Sequence, residues 1–234
     1  MAFVAGKGAR VILGAFDLSA YLKNASLAAT KDTLDTTVFT DGSRNYIEGQ
    51  KAGTATLSGL FDGADDTQDE QVHGAFASSN VTNVCIGLGG LVVGTPVYCG
   101  RVWDAQYEQG ASFDGLVTFG ASLQVDGGWE RAVSLHALAA RTSTYTETSV
   151  DNGAGTSAGG AAYIFVTAQS GAAGTVLVEH SVDNMTWTTL ATFSGLSGTS
   201  STRTAVSGTV NRYVRARLSV ASTSITFQVA FDRF

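Results

Sequence analysis

The 234-residue chain is 44% apolar and carries a formal net charge of −6, a composition that excludes wholesale disorder. The charge is uneven: residues 1–128 hold seven basic and fourteen acidic side chains, whereas residues 129–234 hold seven arginines, no lysine and six acids. No basic stripe exists to neutralise phosphates, which argues against sequence-specific nucleic-acid binding, and the asymmetry points to two domains with different surfaces.

Glycine is abundant (28), and proline occurs once, at Pro96. Val-, Thr- and Phe-rich alternating runs between Gly and Asn/Asp punctuation indicate an all-β chain. Met1-Ala2-Phe3-Val4 lacks a basic start and a long apolar run, so no signal peptide is expected. No segment approaches the roughly 18 apolar residues of a membrane span. The expectation is a chain made in the cytoplasm that either stays soluble or leaves by a route other than the general secretory one.

In chain order, Ala9–Phe16 reads as a first strand, and residues 17–22 as a turn with apolar anchors. Leu27–Thr30 reads as a second strand. Thr36–Thr40 is a short β-prone run that stops at Asp41-Gly42, a turn-forming pair. Residues 41–53 then form a connection too long for a minimal hairpin, with Tyr46 and Ile47 set among polar residues. Such a connection is mobile or is ordered by a partner. A period-2 strand follows: Ala55, Leu57, Gly59 and Phe61 fall on one face, Thr54, Thr56, Ser58 and Leu60 on the other.

Residues 64–79 are the one clear helix, with Asp65 or Asp66 as N-cap and Asp69 and Glu70 in the first turn, where they favour the helix dipole. Val81–Ile86 and Leu91–Trp103 read as strands around a glycine-rich turn. Phe113–Val125 repeats the earlier alternation, with Val117, Phe119, Ala121, Leu123 and Val125 facing one way. That pattern fits a sheet with one side in a core and one on solvent or a cavity. Val133–Ala140 is ambiguous between helix and strand. Residues 142–160, rich in Gly, Ser and Thr, read as an interdomain linker. Strands at Ala162–Ala168, Gly174–Ser181, Asn211–Val220 and from Ile225 to the end suggest a small sandwich.

Signatures of chemistry are weak. His73, His136 and His180 are isolated, so a metal site has little support. The acids at 65, 66, 69 and 70 lack the glycine and closing glutamate of an EF-hand. Gly87-Leu88-Gly89-Gly90 precedes a strand rather than a helix, so it is no dinucleotide loop. Gly6-Lys7-Gly8 lacks P-loop spacing. No nucleophile lies beside a base, so neither catalysis nor a cofactor is expected. Cys85 and Cys99 read as two small buried hydrophobes, with pairing across neighbouring strands as the alternative. Two surface features stand out. Tyr213, Arg215 and Arg217 project from one face of an alternating strand, either as ordinary cross-strand partners of carboxylates or as a patch for anionic or sugar ligands. Trp187 follows the Ser181-x-Asp183-Asn184 turn and either caps the sandwich core or stacks on a glycan.

The unit DTTVFTDGSRNYIEGQKAGTATLSGLFDG (35–63), the acidic helix after it and VTFGASLQV (117–125) resemble the major tail tube proteins of long, non-contractile-tailed bacteriophages. The resemblance covers roughly residues 1–130. VEHSVDNMTWTTLATF (178–193) and RYVRARL (212–218) resemble the small Ig-like or carbohydrate-binding-like β-sandwich often appended to such proteins. The resemblance implies a tail-tube β-sandwich or half-barrel with one flanking helix at 1–141, the linker at 142–160 and a decorating sandwich at 161–234. It implies hexameric rings whose inner sheets form a continuous barrel, stacked into a hollow tube that conducts the genome without binding it specifically. A tail-tip initiator complex and a tape-measure protein are the implied partners, and the virion tail the implied location. Phe39, Asp41, Arg44, Tyr46, Ile47 and Lys51 are then the expected subunit-interface residues. The alternatives are a surface protein that holds host glycans through Trp187, Tyr213, Arg215 and Arg217, and a capsid decoration protein.

Overall fold

The computed structural model describes residues 5–234; the Met1–Val4 start, read above as lacking a signal peptide, lies outside them. The chain is mainly β, with antiparallel pairing throughout and a single α-helix among the described residues. It divides into two compact units drawn from interleaved segments. Unit one comprises the chain up to Ala20, Thr82–Cys99 and Glu130–Phe234; unit two comprises Tyr21–Val81 and Gly100–Trp129.

Unit two is built on a long hairpin of β3 (Leu22–Asp35) and β4 (Tyr46–Leu60), paired from Leu22↔Gly59 to Asp35↔Tyr46. The first part of β7 (Thr118–Arg141) pairs with β4 from Gly53↔Val125 to Leu60↔Thr118. β6 (Pro96–Gly110) is the other neighbour of β7. Within the strands the alternation read from sequence is realised, with Ala55, Leu57, Phe119, Ala121, Leu123 and Val125 buried; Phe61 and Val117, expected on the same face, lie just outside β4 and β7, the first half-buried and the second exposed. Because side chains alternate across a strand, Thr54, Thr56, Ser58, Gly120, Ser122 and Gln124 share the opposite, hydroxyl- and amide-rich face. At the base of the hairpin the backbones meet closely. A Cβ on Gly59 would lie 2.0 Å from the Tyr21 carbonyl oxygen, so only glycine fits there.

Helix α1 (Gln68–Ala77) is shorter than the sequence suggested, and Thr67 rather than an aspartate is its N-cap residue. The Thr67 hydroxyl bonds the carbonyls of Asp62 and Ala64 instead of the helix amides. Glu70 reaches back to accept the Asp66 amide at 2.8 Å. Asp69, in the first turn, accepts from Tyr107 Oη and Gln109 Nε2, which ties the helix to β6. Val72 and Gln68 are buried, whereas Phe76 stays exposed.

Unit one contains a sandwich of two layers with a core between them. One layer holds β10 (Gly160–Ser170), flanked by β13 (Ser200–Val206) and β15 (Ser224–Arg233), with β15 paired in turn to the second half of β7. The other holds β12 (Thr188–Leu196), β11 (Gly174–Ser181) and β14 (Tyr213–Val220). Ile164, Val166, Val178, Phe193, Leu218 and Phe227 fill the space between them. A second core forms on the other face of β10, where Ala161, Tyr163 and Phe165 meet Ile12, Cys85, Val97 and Cys99. These come from β1 (Arg10–Leu13), which pairs with the short β2 (Phe16–Asp17), and from β5 (Thr82–Gly87) and the start of β6. Burial on both faces explains why Ala161–Val166 is continuously apolar rather than alternating. Cys85 and Cys99 are free thiols in that core, and burial raises the Cys99 pKa well above its usual range.

Three expectations change. Residues 118–125 and 133–140 belong to one 24-residue strand, β7, whose interior carries two left-handed glycines, Gly127 and Gly128 (φ 87° and 92°), whereas residues 113–117, expected as the start of a strand, lie in the loop before it. Its second half pairs with β15 from Arg141↔Ile225 to Val133↔Phe231, so residues 130–141 belong with the C-terminal sandwich. Residues 142–160 are not a bare linker: β8 (Tyr145–Thr146) and β9 (Val150–Asp151) both pair with β14, and Thr156 bridges to Val210. Their small polar residues suit short, exposed edge strands as well as linkers, and composition does not separate the two.

Candidate self-assembly surface

The outer half of the β3–β4 hairpin is a free arm. β7 leaves β4 at Gly53, so residues 30–35 and 46–52 form a two-stranded ribbon without a third strand. Nearly every residue of that ribbon is exposed. A two-stranded ribbon with no covered face is marginal in water. Here Lys31 Nζ meets Glu48 Oε1 at 2.8 Å across the strands, holding the Glu48 carboxyl below its usual pKa.

The tip, residues 36–45, is closed by its own polar groups. The Asp41 carboxylate accepts from the Val38 amide and from Asn45 Nδ2, both at 2.9 Å. The Asn45 amide donates to Thr37 Oγ1 at 2.9 Å, and the Thr37 hydroxyl and amide lower the Asp35 pKa. With these groups satisfied internally, the apolar side chains point away. Phe39 is fully exposed, and Leu34, Val38, Tyr46 and Ile47 are each more than half exposed.

Thr36–Thr40, expected as a strand, is therefore this loop, and the expected 41–53 connection is mostly strand, because β4 begins at Tyr46. The missed signal is cross-strand register: Tyr46 and Ile47 face Asp35 and Leu34 directly. The six expected interface residues separate by role. Phe39, Tyr46 and Ile47 form the apolar tip together with Leu34 and Val38, which the sequence reading missed. Asp41 organises the loop. Arg44 approaches only Tyr46 Oη, at 3.4 Å, and meets no carboxylate among the described residues. Lys51 lies opposite Lys31 on the ribbon.

Unit two also presents an open edge, since β3 pairs with β4 alone among the described residues. At the opposite end of its strands from the arm tip, the loop 111–117 exposes Phe113 fully and Leu116 and Val117 substantially. The Phe61 amide, which follows β4, donates to the Val117 carbonyl at 3.0 Å and fixes the end of that loop.

The second expected patch is brought together in unit one, with its charges matched internally. Arg215 pairs with Glu179 at 2.8 Å, directly opposite it in register, and Arg217 reaches the other oxygen at 3.3 Å. The Arg215 guanidinium lies 3.8 Å over the Trp187 ring, and Arg212 sits over Tyr213. Trp187 thus packs beneath Arg215 and is not part of the sandwich core. The preceding turn is held by Asp183, which accepts from the Thr186 and Met185 amides; these bonds pull its pKa down to about 2.

The histidines have separate structural settings. His73 lies on α1 beside Tyr107, and His180 Nδ1 accepts the Asn211 amide. His136 is buried and stacked on Phe227 at 4.0 Å. Its Nδ1 bonds the Phe227 carbonyl and its Nε2 accepts from Arg141 Nε, a set that requires a neutral ring. Burial, with Arg141 adding to it, lowers the His136 pKa to about 4. Among the described residues no group of three His, Cys, Asp or Glu side chains is arranged to hold a metal, and no helix is long and apolar enough to cross a membrane.

No family model matches the chain, and no curated protein matches it. Among solved structures it is similar to a chain of the virion of a native gene transfer agent particle, at 16% identity and a TM-score of 0.44, over 54% of this chain and 97% of that one. It is similar to the SPP1 tail tube at 13% identity and a TM-score of 0.46, over 55% of this chain and 79% of that one. It is also similar to SPP1 Dit, described as a hub of the adsorption apparatus of phages infecting Gram-positive bacteria, at 11% identity and a TM-score of 0.39, over 97% and 99%.

Proposed function

We propose that this chain is a structural protein of a virion tail, whose copies close into rings and stack into a hollow tube that conducts the genome. The observation that carries the reading is the arm: a ribbon with no third strand that ends in an internally bonded loop, with five exposed apolar side chains on the loop and the strand ends beside it. Each such side chain contributes about 1.5–3 kcal/mol when fully buried, and none is buried within the chain. Burial against further copies resolves that cost.

The sheet of unit two supports closure of a ring. Its four strands follow the order β3-β4-β7-β6, so its two outer strands run in opposite directions. Copies related by rotation about an axis along the strands would then meet β3 against β6, and antiparallel pairing would continue across each joint. β3 leaves one edge open, and β5, with six residues, is too short to cover the second edge of the fifteen-residue β6. Open edges of this length are a pairing liability in a monomer; a closing head-to-tail contact turns them into subunit bonds. The face of Thr54, Thr56, Ser58, Ser122 and Gln124 would line the lumen, with Glu108 as its acid, a surface that slides past phosphates rather than binding them. Polymerisation is assigned to unit two, decoration of the tail to the C-terminal sandwich, and six copies to a ring. The tail-tip complex and tape-measure protein remain the expected partners.

Electron microscopy of the concentrated full-length protein tests the reading. Rings or hollow tubes are expected. A strict monomer at every concentration, even with the tail-tip complex added, would sink it.

A further inference from the structure

A tryptophan grips the root of the arm. We infer that Trp129 is the positioning residue that sets the arm's direction: its indole reaches from β7 across β4 to β3 and clasps the ribbon where its third strand ends. All the groups involved belong to unit two. That the direction serves assembly rests on the tube reading; the clasp itself does not.

The pairing of β7 with β4 ends at Val125↔Gly53. A two-stranded ribbon is marginal by itself, so its direction depends on what holds its root. Trp129, four residues past Val125, takes the place of the missing strand. β3 and β7 are two strand spacings apart, about 9.5 Å, and the indole covers that gap. Its Nε1 donates to the Ala28 carbonyl of β3 at 3.0 Å. Ala28 lies opposite Thr54, at the end of the three-stranded part. The crossing needs bare backbone beneath it. Gly53 shares the covered face of β4 with Ala55 and Leu57, and a Cβ there would lie 2.8 Å from Trp129 Cδ1 and 2.9 Å from Nε1. On β6, a Cβ at Gly100 would come to 3.5 Å from the same side chain. Glycines on two strands thus form the slot that receives the ring.

The link that carries the indole is built from the left-handed glycines. Asp126, just before them, is tied to Arg101 of β6 at 2.5 Å. Gly127 and Gly128 then depart from the extended path, with φ of 87° and 92°, a conformation that side-chain-bearing residues rarely adopt. That departure lets a residue of β7 lie over β4. The consequence for assembly is preorganisation. An arm that swings freely must be ordered when a partner meets it, and that ordering weakens association. An arm clasped at its root meets the partner already ordered.

Amide hydrogen exchange and electron microscopy of the full-length protein test the assignment. Trp129→Ala is expected to speed exchange in residues 30–35 and 46–52 roughly tenfold, to leave residues 55–60 unchanged, and to raise the concentration needed for tubes by a similar factor. Trp129→Phe keeps a ring in the slot without the Ala28 bond, and is expected to lie between, about fivefold from wild type. Gly53→Ala puts a methyl group in the slot while Trp129 remains. It is expected to reproduce the Trp129→Ala effect, and to do much less in the Trp129→Ala background, as coupled neighbours do. Unchanged exchange in the arm of the Trp129→Ala variant, or equal effects of Gly53→Ala in both backgrounds, would overturn the clasp. Faster exchange with tubes forming at the wild-type concentration would overturn its role in assembly while the tube reading stands. If the wild-type protein forms no assembly, the tube reading falls, and the exchange measurement alone decides for or against the clasp.

Discussion

Leu34 and Ile47 face each other across the β3–β4 ribbon, and both are more than half exposed, at 55% and 54%. Ten residues along the same strand, Leu57 is fully buried against β7. One strand therefore serves two purposes: its inner half holds the fold and its outer half waits for a partner.

That division predicts opposite consequences for two kinds of substitution. Tyr46→Ala with Ile47→Ala is expected to leave monomer stability within about 0.5 kcal/mol of wild type, as for exposed surface positions, and to abolish tube formation. Leu57→Ala is expected to cost about 2–5 kcal/mol, because it opens a cavity in the core. Urea unfolding and electron microscopy of both variants check the contrast. Normal assembly of the Tyr46/Ile47 variant would remove the arm from the mechanism.

Gly59 is expected to tolerate no side chain. Its added Cβ would fall within 2.0 Å of the Tyr21 carbonyl oxygen, and backbone cannot swing aside as a flexible side chain can. Gly59→Ala is expected to destabilise the protein by about 2–3 kcal/mol. A urea midpoint unchanged from wild type would contradict the close approach.

His136 makes stability fall in mild acid. In the unfolded chain the ring protonates below its ordinary value near 6.5, whereas in the fold it stays neutral down to about 4. Protons are then bound preferentially by the unfolded state, so stability declines as pH drops from about 6.5 to 4. The loss is about 2–4 kcal/mol across that window. His136→Gln is expected to flatten this limb in thermal unfolding between pH 7 and 4.5; an unchanged slope would place the titration elsewhere.

Asp104 acts in the opposite direction. Burial raises its pKa to about 7, and neither oxygen accepts a hydrogen bond; the nearby Gln106 amide, outside bonding geometry, offsets the rise only in part. The folded state holds this proton up to about pH 7 and the unfolded state only to about 4. Stability is therefore full below pH 4 and is lost as pH rises to 7. Partial solvation reduces the effect to roughly 1–2 kcal/mol. Asp104→Asn is expected to raise the unfolding temperature at pH 8 and to leave it unchanged at pH 4. A rise of equal size at both pH values would show that the gain has another origin.

Much of the fold was legible where burial imposes a period. Residues 54–60 and 118–125 alternate because one face of their sheet is covered and the other is not, and a period of two is the direct imprint of that condition. The turn at Asp183-Asn184 was legible because its carboxylate bonds to nearby amides, a local interaction that needs no tertiary partner. The pairing of Arg215 with a carboxylate was one of two readings that residue type and alternation left open, and the register with Glu179 supplies the partner.

The tertiary structure decided what has no period or depends on distant chain. Residues 46–52 form a strand with both faces exposed, so no apolar alternation marks them, and only their register with residues 30–35 reveals the ribbon. Residues 161–166 lost alternation for the converse reason, burial on both faces between two cores. Residues 145–151 looked like a linker until β14 supplied their hydrogen bonds. By itself the sequence determined a mainly β protein with an acidic first half and a candidate assembly segment. The structure turned that segment from a long loop into an arm, and set an apolar loop at the far end of the same strand.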